Sequence, residues 1–135
     1  MRPRAFALPV LTVLALSAAA ATRARAPRQA NVTGACTPQA TPQITPPTIA
    51  MQRSDIVVWG SVSSNATSWT ITPKDTLDWP WSQRSFTGTP RAPATTPQPL
   101  ASALANHPYR YNVRVQCADG TAQNIDPDIV IGDGE

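Results

Sequence analysis

The run YRYNVRVQC, residues 109–117, constrains this chain more than any other stretch of it. Strict alternation over nine residues describes a strand with one buried face. Tyr109, Tyr111, Val113, Val115 and Cys117 share the apolar face; Arg110, Asn112, Arg114 and Gln116 share the other. Downstream, Ile125, Ile129 and Ile131 are again odd-numbered. Asp119-Gly120 lies between the two runs and signals a hairpin. A two-residue loop would pair odd positions with even ones and turn the isoleucines away from the tyrosines and valines. A three-residue loop, Ala118-Asp119-Gly120, pairs odd with odd. It sets Val113 opposite Ile125 and Tyr109 opposite Ile129. It also puts Gly120 where a type I turn with a G1 bulge needs left-handed backbone. A slip of one residue reverses every side chain, so the apolar pattern selects the longer loop. Pro127 cannot donate to a ladder, which makes the second strand an edge or a bulge there.

Other segments point the same way. DIVVWGS (55–61) is a short apolar run of β-branched residues, predicting a central strand buried on both faces, with Trp59 in the core. SWTITP puts Trp69 and Ile71 on one face and ends at Pro73. LDWPWS puts Leu77, Trp79 and Trp81 on one face, and Pro80 confines that strand to an edge. Residues around Phe86 continue the sheet. Ile44, Ile49 and Met51 suggest a first edge strand, limited by Pro46-Pro47. The stretch from Gly88 to Pro108 carries Pro90, Pro93, Pro97, Pro99 and Pro108. It reads as a mobile Pro-rich loop, with one helical turn over Leu100–Ala105. Six or seven short strands and little helix give an all-β class: a small antiparallel β-sandwich, immunoglobulin-like or cupredoxin-like in outline.

The chain of 135 residues is long enough for one domain. Residues 1–21 have a basic start, an uncharged run from Ala5 to Ala21 and small residues at its end, which is the layout of a signal peptide. That run is too short to span a bilayer, and Pro9 interrupts it. Residues 22–47, rich in Pro, Thr, Gln and Ala, read as an extended, partly disordered arm ahead of a sandwich domain at 48–135. The predicted location is secreted or periplasmic, with no membrane contact after cleavage. In that compartment Cys36 and Cys117 read as a disulfide; the alternative is two separately buried thiols. The net charge of +3 misleads, because five of the eleven basic residues precede residue 31. From Asn31 onward six basic residues meet eight acidic ones, a balance of −2. A nucleic-acid surface needs basic clusters on the domain itself, and none is present in the sequence.

The series IVVW, WTIT, WPW…SF, YRYNVRV and DPDIVI resembles a loose group of short secreted bacterial proteins. Their C-termini run Tyr-x-Tyr-x-Val, a turn, then Asp-Pro-x-Ile. The resemblance covers roughly residues 49–131 and implies a β-sandwich. It transfers no site residues, and the insertion at 88–108 is longer than that pattern implies. A single lysine against ten arginines fits a high-GC bacterial coding bias.

The residue inventory narrows the chemistry. His107 is the one histidine, and Met51 the one methionine beyond the leader, so neither a blue-copper set nor a four-ligand zinc site can be assembled. Asp119, Asp126, Asp128 and Asp133 do not follow EF-hand spacing, and Asp is an ordinary turn residue. No metal and no cofactor is assigned. His107, beside Pro108, reads as an exposed loop residue rather than a general base. Asp75 and Asp78 form a carboxylate pair without an evident apolar pocket. No catalytic residue is assigned, and the chain is not read as an enzyme. Asn31-Val32-Thr33 and Asn65-Ala66-Thr67 match the glycosylation pattern, which matters only in a host that glycosylates. The expected role is an interaction or structural module with a protein or glycan partner. The alternative is a carbohydrate-binding module using Trp79, Trp81 and Trp69 as an aromatic platform. Against it stands the tendency of large aromatics to fill small cores.

Overall fold

The alternating run 109–117 builds the strand around which the second of two sheets is laid. The computed structural model describes residues 27–133, so the 1–21 leader lies outside the described residues. Ten strands follow one another: β1 (Arg28–Thr33), β2 (Gln43–Thr45), β3 (Thr48–Met51), β4 (Val57–Val62), β5 (Ala66–Pro73), β6 (Phe86–Gly88), β7 (Ala94–Thr95), β8 (Pro108–Cys117), β9 (Ala122–Ile125) and β10 (Asp128–Ile131). One sheet has the order β2-β1-β4-β7. The other has the order β3-β10-β8-β5-β6, with β9 also on β8. The two pack as a small all-β sandwich. Both sheets are mixed rather than antiparallel throughout, because β1 runs parallel to β4 and β10 parallel to β3.

The hairpin has the odd-to-odd register. Val113 faces Ile125, and Tyr109 faces Ile129. The Cys117 amide donates to the Thr121 carbonyl at 2.8 Å, closing a loop of Ala118, Asp119 and Gly120. Gly120 has φ +88°, the left-handed conformation that favours glycine. Pro127 splits the return strand into β9 and β10 without changing the register. All five odd side chains of β8 are buried, as are Ile129 and Ile131, while Ile125 is half-buried.

The segment 22–47 is not a disordered arm over its described part. β1 lies between β2 and β4, with Ala30 and Val32 fully buried, so the sandwich already includes Arg28. Its alternation is real, but the strand is short and the flanking Pro, Thr and Gln mask it. The single edge strand around Ile44–Met51 is instead two strands, one in each sheet, because the chain changes sheet at Pro46-Pro47. β4 is central but not buried on both faces: Val57 and Trp59 point inward, while Val58 is half-buried and Val62 exposed. No strand forms over LDWPWS. Asp75 Oδ1 accepts from the Leu77 amide at 2.9 Å and the Asp78 amide bonds the Asp75 carbonyl at 3.2 Å, which makes a turn. Leu77 sits at its tip, 92% exposed.

The Pro-rich stretch 88–108 packs across the core. Its Ala94, Thr96 and Ala103 are buried. The Thr96 hydroxyl accepts from the Val57 amide at 3.0 Å, and the Thr96 amide donates back to the Val57 carbonyl at 3.0 Å. The expected helical turn at Leu100–Ala105 is a lone turn, closed by Ala103 N to Leu100 O at 3.0 Å. The Leu104 amide, which a helix would direct to the Leu100 carbonyl, donates instead to the Tyr109 hydroxyl at 2.6 Å.

Cys36 and Cys117 are joined, with Cα atoms 5.3 Å apart and a sequence separation of 81. The bond ties the loop after β1 to the end of β8. Closing so long a loop stabilises by about 4–5 kcal/mol on chain-entropy grounds. A Cys36→Ser, Cys117→Ser double variant is therefore expected to lose stability of that order. The check is a urea titration of the variant against the oxidised protein.

Candidate functional site

The three tryptophans expected to form a platform lie inside the sandwich. Trp69 is 0% exposed, Trp79 8% and Trp81 3%, and Trp59 joins them at 0%. Every indole N–H is used internally. Trp59 donates to the Tyr111 hydroxyl at 3.2 Å, and Trp69 to the Trp59 carbonyl at 2.9 Å. Trp79 donates to the Gln83 carbonyl at 3.0 Å, and Trp81 to the Pro97 carbonyl at 2.9 Å. The Trp79 and Trp81 rings meet edge to face at 5.0 Å. Pro80 between them interrupts the extended chain, and both rings turn down onto Tyr111, Trp59 and Phe86. No indole face is left for a sugar ring, so the carbohydrate platform is not formed.

His107 is not an isolated loop residue. Its Nε2 lies 2.8 Å from both carboxylate oxygens of Asp78, and its ring meets Tyr109 edge to face at 4.8 Å. The pair resembles the base and orienter of a catalytic arrangement. Among the described residues, however, no hydroxyl or thiol hydrogen-bonds the ring, so the third member of such a set is not in place. Three of the four aspartates near the C-terminus, Asp119, Asp126 and Asp133, are committed to separate partners. Asp119 accepts from the Thr121 hydroxyl and amide, which hold its carboxyl below the usual range. Asp126 pairs with Lys74 at 3.2 Å, and Asp133 accepts from Asn106 at 2.9 Å. No group of three or more His, Cys, Asp or Glu among the described residues is placed to hold a metal ion. Of the two glycosylation motifs, the Asn65 amide is committed to the Cys36 backbone through two bonds of 2.7 Å.

The feature that sequence reasoning missed is a groove of about 480 Å³ between the sheet edges. Gln43, Ile44, Thr45 and Pro47 form one wall, and Ile125, Asp126 and Pro127 form the other. β2 is the last strand of its sheet, and among the described residues no strand pairs with its outer edge. The opposite wall is the point at which Pro127 parts β9 from β10. Ile44 is buried beneath β2, while Gln43 and Thr45 flank it exposed. The nearby loop is anchored to β9: Gln123 Nε2 donates to the Thr37 carbonyl at 2.7 Å, and the Thr41 hydroxyl to Gln123 Oε1 at 3.2 Å. Residues 43–47 and 125–127 are distant in sequence, and each wall reads locally as an ordinary strand end. The sequence offered only two separate proline signals, Pro46-Pro47 limiting one edge strand and Pro127 interrupting another, with nothing to bring them together.

Fold and groove together define a disulfide-linked β-sandwich with an open edge. Compared with known proteins, the chain matches no family model, no curated protein and no solved structure.

Two measurements check the core. Iodide, which cannot enter a packed interior, is expected to leave native tryptophan emission almost unquenched and to quench it on unfolding. Quenching of the native protein would place an indole at the surface. Tyr111 supplies the second. Burial, with a smaller push from Asp128, raises its phenol above its ordinary value, although the Trp59 bond works the other way. Above about pH 10 the unfolded chain loses this proton while the folded chain keeps it, so stability falls as pH rises. Tyr111→Phe is expected to cost about 1–3 kcal/mol at neutral pH by leaving the Trp59 N–H unpaired. The variant is also expected to lose part of the alkaline slope in urea midpoints.

Proposed function

We propose that the protein is an exported, non-catalytic binding module that receives an extended polypeptide along the edge of β2. One observation carries this: an unpaired strand edge stands over a groove whose walls include Ile44, Pro47, Ile125 and Pro127. A chain laid beside β2 gains main-chain hydrogen bonds and sets alternate side chains into the groove. β2 carries no charged residue to repel such a strand, a common protection of exposed edges. The strand has three residues, so the ladder is short and the apolar walls supply the rest of the contact. Export is supported by the leader-like N-terminus and by a disulfide suited to an oxidising compartment. Among the described residues no helix is long and apolar enough to cross a membrane.

The test uses a decapeptide of alternating valine and threonine, titrated into isotopically labelled protein and followed by amide NMR shifts. Saturable shifts are expected in Gln43, Ile44 and Thr45 and across the groove in Ile125 and Asp126. Ile125→Lys, which sets a charge against the apolar wall, is expected to remove them while the remaining spectrum stays folded. Shifts confined to β6 or β7, or no saturable shift, would reject the groove as the contact surface.

A further inference from the structure

A second cleft lies at the end of the other sheet, lined by Lys74, Asp75, Asp78, His107, Pro108 and Arg110. Its volume of about 440 Å³ suits a small molecule. The topology assembles it from two chain segments. Pro73 ends β5 opposite Tyr111, so the Lys74 amide donates to the Arg110 carbonyl at 3.1 Å. Pro108 opens β8, and the turn at Asp75–Asp78 closes the far side.

The charges in this cleft are mostly spoken for. Lys74 pairs with Asp126 at 3.2 Å, and His107 with Asp78 at 2.8 Å. Among the described residues two charged lining side chains have no side-chain partner within hydrogen-bond distance, one of each sign: Arg110 and Asp75. Asp75 spends one oxygen on the Leu77 amide at 2.9 Å, and the other is open to a donor. Next to the cleft, and sharing Asp78 with it, is a shallow hollow lined by Leu77, Trp79, Ala103 and Leu104. Leu77 and Leu104 are exposed, an unusual place for two leucines to gather. Their backbones are held in place, since the Leu104 amide donates to the Tyr109 hydroxyl at 2.6 Å, as Leu77 does to Asp75.

We propose that this cleft binds a zwitterion of amino-acid or dipeptide size with an apolar side chain. The carboxylate sits on the Arg110 guanidinium, whose planar fork matches it. The ammonium sits on Asp75. The side chain lies over Leu77 and Leu104. A simple anion would satisfy Arg110 and leave Asp75 opposed to it; a simple cation would do the reverse. Only a ligand carrying both charges answers the pair. This site is independent of the β2 groove, and neither requires the other.

The test titrates labelled, oxidised protein with L-leucine, leucyl-leucine, N-acetyl-leucine and leucinamide. Saturable amide shifts at Asp75, Leu77 and Arg110 are expected with at least one of the first two. Acetylation or amidation of leucine is expected to weaken binding about fivefold, as is Arg110→Gln or Asp75→Asn. Asparagine at 75 keeps the acceptor for the Leu77 amide, so the turn is preserved in that variant. N-acetyl-leucine binding as well as leucine would reduce the cleft to an anion site. Leucinamide binding equally well would reduce it to a cation site. Either result, or no saturable shift with leucine and leucyl-leucine, overturns the proposal.

Discussion

The sandwich depends on Trp59. Its side chain leaves β4 in one sheet and donates to the Tyr111 hydroxyl on β8 of the other at 3.2 Å. Its own carbonyl accepts the Trp69 indole N–H from β5 at 2.9 Å. One residue thus joins the inner strands of both sheets through two buried hydrogen bonds. A buried donor left without its acceptor would cost more than the bond itself contributes, so the three aromatics hold one another in a single arrangement. The ring then fills the interior, with Tyr111 at 5.8 Å, Phe86 at 6.2 Å and Trp81 at 6.4 Å between centroids. Gly88 is part of the same constraint. A Cβ there would come within 2.8 Å of Trp69 Cε2 and 2.5 Å of the Ala94 nitrogen, so only glycine lets β6 pass this close.

Around that centre the periphery is fastened from β1. Arg28 Nε donates to the buried Asp55 at 2.9 Å, and the same carboxylate oxygen accepts the Gln52 amide at 2.8 Å. At the other end of β1 the disulfide and the Asn65 side chain hold the loop around Cys36. With both ends fastened, β2 is carried on β1 as a strand with one free edge. The groove is a consequence of this arrangement: the chain changes sheet at Pro46-Pro47, and across from it β9 gives way to β10 at Pro127, where proline cannot continue a ladder. The polar cleft arises in a similar way, at the point where β5 ends in Pro73 and β8 begins at Pro108.

The hairpin was legible because its signal is local and doubly determined. The odd-numbered apolar residues and the glycine requirement at 120 select the same register. The disulfide followed from an even cysteine count and a leader-like N-terminal composition, and neither depends on the path of the chain between. β1 was not legible. Ala30 and Val32 alternate correctly, but the partner is a parallel strand about 30 residues on, and no local pattern announces a parallel pair. The direction of Trp79 and Trp81 was open for a different reason. Alternation puts them on one face only if the chain is extended, and the Asx turn at Asp75 bends it. His107 and Asp78 lie 29 residues apart and meet only because the Pro-rich segment folds back over the core.

The sequence by itself determined that this is an all-β chain, that β5 and β8 each have a buried face, how the last hairpin is registered and which residue types are available for chemistry. Those properties depend on side-chain period, backbone conformation and composition, all of which act within a few residues. Only the tertiary structure decided that the tryptophans are core, that an apolar groove opens beside β2 and that Arg110 and Asp75 line one cleft. Each depends on segments brought together from distant parts of the chain. Burial and charge pairing are properties of neighbours in space, and proximity in sequence does not report them.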